Sequence, residues 1–254
     1  MSFEFIILGF IVGILIGVAG VGGASLLTPS LIFMGIPPVI AIGTDFLYNS
    51  VTKAFGTLQH LKQKTVNIKL VKYFSIGSLP SAIIANFLFH YYLSDYYNES
   101  LILLLLGIVL VSISLLTLIQ FVFNFEIIRS WKEKDINDKR TLIIVIGIVL
   151  GVIVGITSVG AGSLFAIILL YFFNLKSSEL VGTDIAHAFL LTTIPGILMA
   201  FYGHVDFHLL LLLLCGSIPG SIIGSKLTLK LPSVFIRLLI LIIIFFTGLK
   251  LIVG

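Results

Sequence analysis

Apolar residues along this 254-residue chain fall into eight long stretches separated by short polar connections. Most of these stretches are close to the ~20 residues that cross a bilayer as one helix. Their approximate bounds are 3–35, 39–58, 70–92, 100–123, 141–173, 180–202, 207–228 and 234–253. The pattern therefore predicts an all-α polytopic membrane protein.

The first and fifth stretches, 3–35 and 141–173, are longer than the others. As a single helix each would measure about 50 Å. That is too long for one upright crossing of a ~30 Å hydrocarbon core and too short for two full crossings. Each stretch has a central glycine cluster, Gly20–Gly23 in one and Gly160–Gly162 in the other. We therefore expect each to form two short helices joined by a glycine break.

The chain contains an internal repeat. Six residues of the range 9–25 recur 138 positions later in the range 147–163, and the triplet at 43–45 recurs 139 positions later at 182–184. Two related hydrophobic halves are typical of membrane transporters, whose binding sites lie where the halves meet.

Loop charges predict that the two repeats insert in opposite orientations. The loop at 59–72 has four lysines, whereas its repeat partner near 203–206 has no Lys or Arg. The loop at 93–99 is acidic, whereas its partner at 226–237 is basic. Because Lys and Arg concentrate in cytoplasmic loops, this bias indicates inverted topology. Each repeat is then a glycine-broken hairpin plus about three transmembrane helices.

The chain accordingly divides into an N-terminal membrane repeat at 1–123, a linker at 124–140 and a C-terminal membrane repeat at 141–254. The linker is basic, so we expect it on the cytoplasmic side. Only 10% of the residues are charged and the mean hydropathy is +1.22, which leaves no room for a soluble catalytic domain. The net charge of +4 belongs to the loops and does not indicate nucleic-acid binding.

The glycine clusters are the first candidate binding feature. A helix that starts inside the membrane has free N–H groups and a positive dipole end, which suits an anion. Serine hydroxyls that follow each cluster are further donors. Close packing through small residues is the alternative explanation of the clusters. The candidate binding residues here are Gly22, Gly23, Ser25, Gly160, Gly162 and Ser163.

The repeated Gly-Thr-Asp triplets are the second candidate feature. Aspartate costs about 2.5–3.5 kcal/mol at the middle of a membrane helix, so it usually has a function there. Thr44, Asp45, Thr183 and Asp184 either cap helix starts or lie beside the site. In the second case the threonines bind substrate and the aspartates gate the site or exchange protons.

Two further side chains accompany the aspartates. Asn49 and Lys53 follow Asp45 at four-residue steps and share its helix face; we include both among the substrate-binding candidates. Lys53 balances Asp45, attracts an anionic substrate, or extends to the membrane surface. His187 follows Asp184 by three residues and is either a proton-exchanging or a structural histidine.

The sequence predicts no metal and no cofactor. His204 and His208 have the i, i+4 spacing of metal ligands, but no third ligand is evident. The expected partners are a small anionic substrate and the lipid bilayer, with a second copy of the chain as a further candidate, and no nucleic acid.

These motifs together resemble the sulfite exporter TauE/SafE family of bacterial inner-membrane permeases. The resemblance covers nearly the whole chain and rests on residues 17–25 with Pro29, and on 36–45, 77–80, 181–187, 203–206 and 216–220. It implies secondary transport of a small sulfur-containing anion, such as sulfite or a sulfonate, across the bacterial plasma membrane.

We therefore hypothesise a secondary transporter with its site at the repeat interface, and not an enzyme. An anion channel or uniporter using the same site is the main alternative. An intramembrane enzyme would need a convergent acid, base and nucleophile or a metal, and no such motif is visible. A non-transporting membrane subunit is a further alternative.

Overall fold

The computed structural model describes residues 2–19, 24–93, 99–123, 132, 135–227 and 233–253. These residues form helices and connecting turns, which confirms the all-helical prediction. In chain order the helices are α1 (Ser2–Ala19), α2 (Ala24–Phe33), α3 (Pro38–Lys62), α4 (Ile68–Leu93), α5 (Glu99–Phe123), α6 (Arg140–Thr157), α7 (Ser163–Phe172), α8 (Ser177–Phe201), α9 (Phe207–Leu227) and α10 (Ser233–Val253).

Both overlong apolar stretches form two helices each, α1 with α2 and α6 with α7. The first connection, which includes the candidates Gly22 and Gly23, lies outside the described residues. In the second connection the backbone passes through left-handed conformations at Ser158 (φ 60°) and Gly160 (φ 93°). Glycine adopts this conformation without steric cost, so Gly160 suits a helix break.

Four of the described helices contain segments long and apolar enough to cross a membrane on their own, at Ile68–Tyr91, Glu99–Ile119, Arg140–Thr157 and Ser178–Phe201. Many large apolar side chains on the helices are exposed, including Ile84, Phe87, Leu116 and Val149. Such extensive exposed apolar surface is typical of helices that face lipid.

Glycines bring helices from different halves of the chain close together. Helix α1 packs on α9, and α4 packs on α6. A Cβ added at Gly13 of α1 would overlap the backbone of Ser217 on α9. In the same way, a Cβ added at Gly151 of α6 would overlap the backbone of Ser78 on α4. These glycines therefore serve close packing within the chain.

The turns α3–α4 and α8–α9 resemble each other, and they lie at equivalent places in the repeat. Each contains one residue with a positive φ angle, Lys64 (56°) in the first turn and Gly203 (76°) in the second. Helix α3 packs against α8, and α5 packs against α10. The pairing of α3 with α8 brings the two Gly-Thr-Asp triplets into one central layer.

Replacing Gly151 by alanine is expected to destabilise the protein by about 1–3 kcal/mol, because the new methyl group must displace the backbone of α4. The measurement is the unfolding midpoint of the purified protein in detergent. Val149→Leu, on the exposed side of the same helix, is the control and should leave the midpoint nearly unchanged. An equally stable Gly151→Ala variant would contradict this account of the helix contact.

Candidate functional site

Asp45 on α3 and Asp184 on α8 are both buried in the centre of the structure. Helix α3 begins at Pro38 and α8 at Ser177, so both aspartates lie well inside their helices. The residues that precede the two helices are Pro37 and Lys176. The interpretation of the Gly-Thr-Asp triplets as helix caps is therefore wrong.

The two threonines of the triplets connect the halves of the chain. Thr44 accepts a hydrogen bond from the backbone N–H of Asp206, at 3.2 Å. Thr183 accepts one from the backbone N–H of Asn67, at 3.0 Å. Each hydroxyl thus satisfies a backbone group in the turn of the other half, while its own proton is still able to bond elsewhere.

Asp45 accepts hydrogen bonds from three side chains on three different helices or turns. Thr28 Oγ1 donates to its Oδ2 at 2.8 Å, and Ser158 Oγ donates to the same oxygen at 2.9 Å. Asn49 Nδ2 donates to Oδ1 at 2.8 Å. The predicted pairing of Asp45 with Asn49 is present, and both carboxylate oxygens have donors.

Asp184 has fewer hydrogen-bond donors around it than Asp45, although it occupies the equivalent place in the repeat. Its Oδ1 is buried and has no hydrogen-bond partner among the described residues. The charged group that acts on Asp184 is Lys53 of α3, which also interacts electrostatically with Asp45. Lys53 is half-buried and is therefore turned to the two carboxylates and not to the membrane surface.

The break between α6 and α7 lies beside Lys53 and Asp184. A Cβ added at Gly162 would be 3.4 Å from Asp184 Oδ2 and 3.8 Å from Lys53 Nζ. Among the described residues, no backbone hydrogen bond outside the helices uses the N–H groups of Ala161, Gly162 or Ser163. The N-terminus of α7 therefore offers free donors next to the lysine.

The serines that follow the two glycine clusters share one property. Ser25 and Ser163 are buried, and neither Oγ has a hydrogen-bond partner among the described residues. A buried hydroxyl without a partner costs about 1–3 kcal/mol. Such groups are therefore good candidates for contact with a bound molecule.

His187 makes a hydrogen bond and an aromatic contact with neighbouring helices. Its Nε2 lies 2.9 Å from Ser78 Oγ on α4, and its ring lies 4.2 Å from the ring of Phe165. Its Nδ1 is buried and unpartnered in the described part of the chain. The histidine thus has a structural contact on one side and a free ring nitrogen on the other.

His204 has a different neighbour from the one its spacing suggests. Its Nε2 lies 3.1 Å from His90 Nδ1 on α4, and the ring of His90 stacks on Tyr202 at 3.9 Å. Burial and the neighbouring His90 lower the pKa of His204. No group of three or more possible metal-ligating side chains is found in the described residues.

Sequence reasoning missed two of the residues in the centre, Thr28 and Ser158. Both are ordinary small polar residues on apolar segments, and their contact with Asp45 depends on which helices are neighbours. Ser158 gives one signal in retrospect, because it occupies the repeat position of Gly20. A positive φ angle is uncommon for a residue other than glycine, and here the serine hydroxyl donates to Asp45.

Charged residues enclosed by apolar, membrane-length helices are the arrangement found in membrane transporters. The comparison with known proteins agrees with this class. The model of the family described as sulfite exporter TauE/SafE matches residues 5–251. The chain belongs to this family, which confirms the resemblance seen in the motifs.

Several relatives are similar over almost their whole length. The probable membrane transporter protein YjnA of Bacillus subtilis is 48% identical over 99% of this chain and 100% of its own. The probable membrane transporter protein YunE of the same organism is 28% identical, over 99% and 98%. The probable membrane transporter protein MJ0441 of Methanocaldococcus jannaschii is 24% identical, over 94% of each chain. No solved structure matches the chain.

Thr28→Val is expected to destabilise the protein by about 0.5–3 kcal/mol, because it removes a buried hydrogen bond to the Asp45 carboxyl group. The measurement is denaturant unfolding in detergent. Thr52→Val is the matched control, since the Thr52 hydroxyl bonds only to backbone carbonyls of its own helix. In an Asp45→Asn background the cost of Thr28→Val should fall; an unchanged cost would contradict the assigned hydrogen bond.

Proposed function

We propose that this protein is a secondary transporter that moves a small sulfur-containing oxyanion, such as sulfite or a sulfonate, across the bacterial plasma membrane. The observation that carries the proposal is the meeting of the Lys53 ammonium group with the Gly162–Ser163 end of the helix break. A cation then lies beside a helix end with free N–H groups, and the next residue, Ser163, has an unpartnered hydroxyl.

This combination suits an oxyanion for chemical reasons. Oxyanions accept several hydrogen bonds at once, and a helix N-terminus supplies backbone donors and a positive dipole end. Lys53 makes no ion pair within 4.0 Å in the described residues, although Asp184 and Asp45 act on it electrostatically. The position in direct contact with its ammonium group is therefore open to a ligand oxygen. The family's description, which names sulfite, favours sulfur oxyanions over other small anions.

The pattern of contacts supports two inverted repeats that meet at the site. The contact between Thr44 and Asp206 corresponds to the one between Thr183 and Asn67 after a shift of 139 residues. The pair α1–α9 corresponds in the same way to the pair α6–α4. Reciprocal contacts of this kind are what a pseudo-two-fold axis between two repeats produces.

Alternating access completes the proposed mechanism. One helix bundle moves against the other around the central layer of α3 and α8, and the linker at 124–140 stays on the cytoplasmic side. An anion channel is the competing mechanism for the same site. Saturable exchange of labelled for unlabelled anion supports the carrier, whereas single-channel currents support the channel.

Replacing Lys53 by glutamine is expected to lower exchange of radiolabelled sulfite at least about tenfold, because a charge-assisted contact is worth about 1.5–3 kcal/mol. The measurement uses proteoliposomes loaded with unlabelled sulfite. Lys62→Gln, an exposed lysine at the end of the same helix, is the control and should exchange like the wild type. Normal exchange by Lys53→Gln would show that Lys53 does not bind the anion.

Gly162→Ala tests the space at the break without breaking the fold. The added methyl group would meet Asp184 and Lys53 at ordinary contact distance, and the φ angle of Gly162, −119°, suits alanine. We expect normal thermal stability and a raised half-saturation concentration for sulfite, because the methyl group occupies space that the anion needs. Gly56→Ala, whose Cβ would meet only the side chain of Ile185, is the control. An unchanged half-saturation concentration in Gly162→Ala would place the anion elsewhere.

A further inference from the structure

We propose that Asp184 takes up one proton each time an anion binds, so that the protein carries anion and proton together. The inference rests on the proposed function, because it assigns a coupling group within the same site. Of the groups near the site that can exchange a proton, Asp184, Asp45 and His187, the surroundings single out Asp184.

The two aspartates differ in what a proton would meet. A proton on Asp45 would enter a carboxylate whose two oxygens already receive three donors, from Thr28, Ser158 and Asn49. A proton on Asp184 has an open position, because Oδ1 is buried and has no partner in the described residues.

The repeat explains this difference in terms of sequence. Thr28 corresponds to Ala166, and Asn49 corresponds to Ala188. Alanine has no hydrogen-bonding side chain, so the second repeat has no equivalent of two of the three donors to Asp45. The third donor, Ser158, corresponds to Gly20, which has no side chain. The alanines at these two positions agree with the unpartnered state of Asp184 Oδ1.

Charge balance links the proton to the anion. Lys53 faces two carboxylates, so this region has a net charge of −1 when both are ionised. A bound monoanion alone would make the net charge −2 in a region shielded from water, which is strongly unfavourable. A proton taken up by Asp184 restores −1, and the acid O–H then becomes a donor to the anion.

The other titratable groups near Asp184 have different partners. On α8, Glu179 accepts a hydrogen bond from Asn67. His187 is bonded to Ser78 through Nε2 and has an unpartnered Nδ1, but the positive charge of Lys53 opposes a second positive charge on its ring. His60 lies beside Gly182 and contacts Thr65. The groups that α4 and α7 present here are uncharged in the described residues, namely Ser78 and Ser163, and the lysines of α4, Lys69 and Lys72, are exposed.

Asp184→Asn is the test, since an amide imitates the protonated acid but cannot exchange a proton. The probes are radiolabelled sulfite and methanesulfonate with the full chain in proteoliposomes. We expect the wild type to exchange anion at equal pH and to accumulate it up to about tenfold for a gradient of one pH unit. Asp184→Asn should lose the accumulation driven by pH, whatever the change in its rate of exchange at equal pH.

Two further variants and one direct measurement complete the experiment. Asp138→Asn, at an exposed position, is the matched control and should behave like the wild type, and Asp184→Glu should retain some accumulation. If Asp184→Asn does not fold, the inference is tested by measuring proton uptake by the wild-type protein as the anion binds. A pH indicator should report about one proton per methanesulfonate bound, because methanesulfonate itself does not buffer near neutral pH.

The outcomes separate the two proposals. If the wild type exchanges neither anion, the proposed function is overturned and the inference falls with it. If the wild type exchanges anion but Asp184→Asn still accumulates it in a pH gradient, the inference alone is overturned. Accumulation that follows a sodium gradient in place of a pH gradient, or methanesulfonate binding without proton uptake, also overturns the inference alone.

Discussion

The hydrocarbon interior of a membrane offers the backbone no hydrogen-bond partners, and this constraint decides how the centre of the protein is built. Non-helical backbone is tolerated there only where protein groups or an aqueous cavity satisfy it. The connecting turns are also held by protein groups, because Thr44 and Thr183 accept hydrogen bonds from the backbone N–H groups of Asp206 and Asn67. Because each threonine belongs to the opposite half, satisfying the backbone also joins the two halves of the chain.

The same constraint applies to the break between α6 and α7, where backbone N–H groups need an acceptor. The N–H groups of Gly162 and Ser163 have no backbone acceptor in the described residues outside the helices. They lie beside Lys53 and not beside lipid, which suits a wet or ligand-filled space. An anion at this place would satisfy the break and the lysine together, so structural need and binding chemistry coincide.

The sequence was sufficient for features that depend on local pattern. Length and glycine content predicted the division of 141–173 into two helices, and the four-residue spacing predicted that Asn49 reaches Asp45. Features that depend on which helices are neighbours could not be predicted from the sequence. The spacing of Lys53 left three interpretations open, because nothing local shows that α8 brings Asp184 to it. The donors Thr28 and Ser158 were missed for the same reason.

The repeat also shows which residues serve the scaffold and which serve one particular site. The close-packed glycines and the connecting threonines occur in both halves, because the same helix contacts are made twice. The residues around the aspartates diverge: Lys53 corresponds to Thr192, whose hydroxyl bonds to its own helix. A pair of identical half-sites would place two lysines and two equally bonded aspartates around one small ligand. The second half has no equivalent of Lys53, Thr28 or Asn49. In the described part of the chain, this centre therefore contains one lysine, one carboxylate whose two oxygens both accept hydrogen bonds and one carboxylate with an unpartnered oxygen. This difference between equivalent repeat positions makes the two acidic groups of the centre chemically distinct.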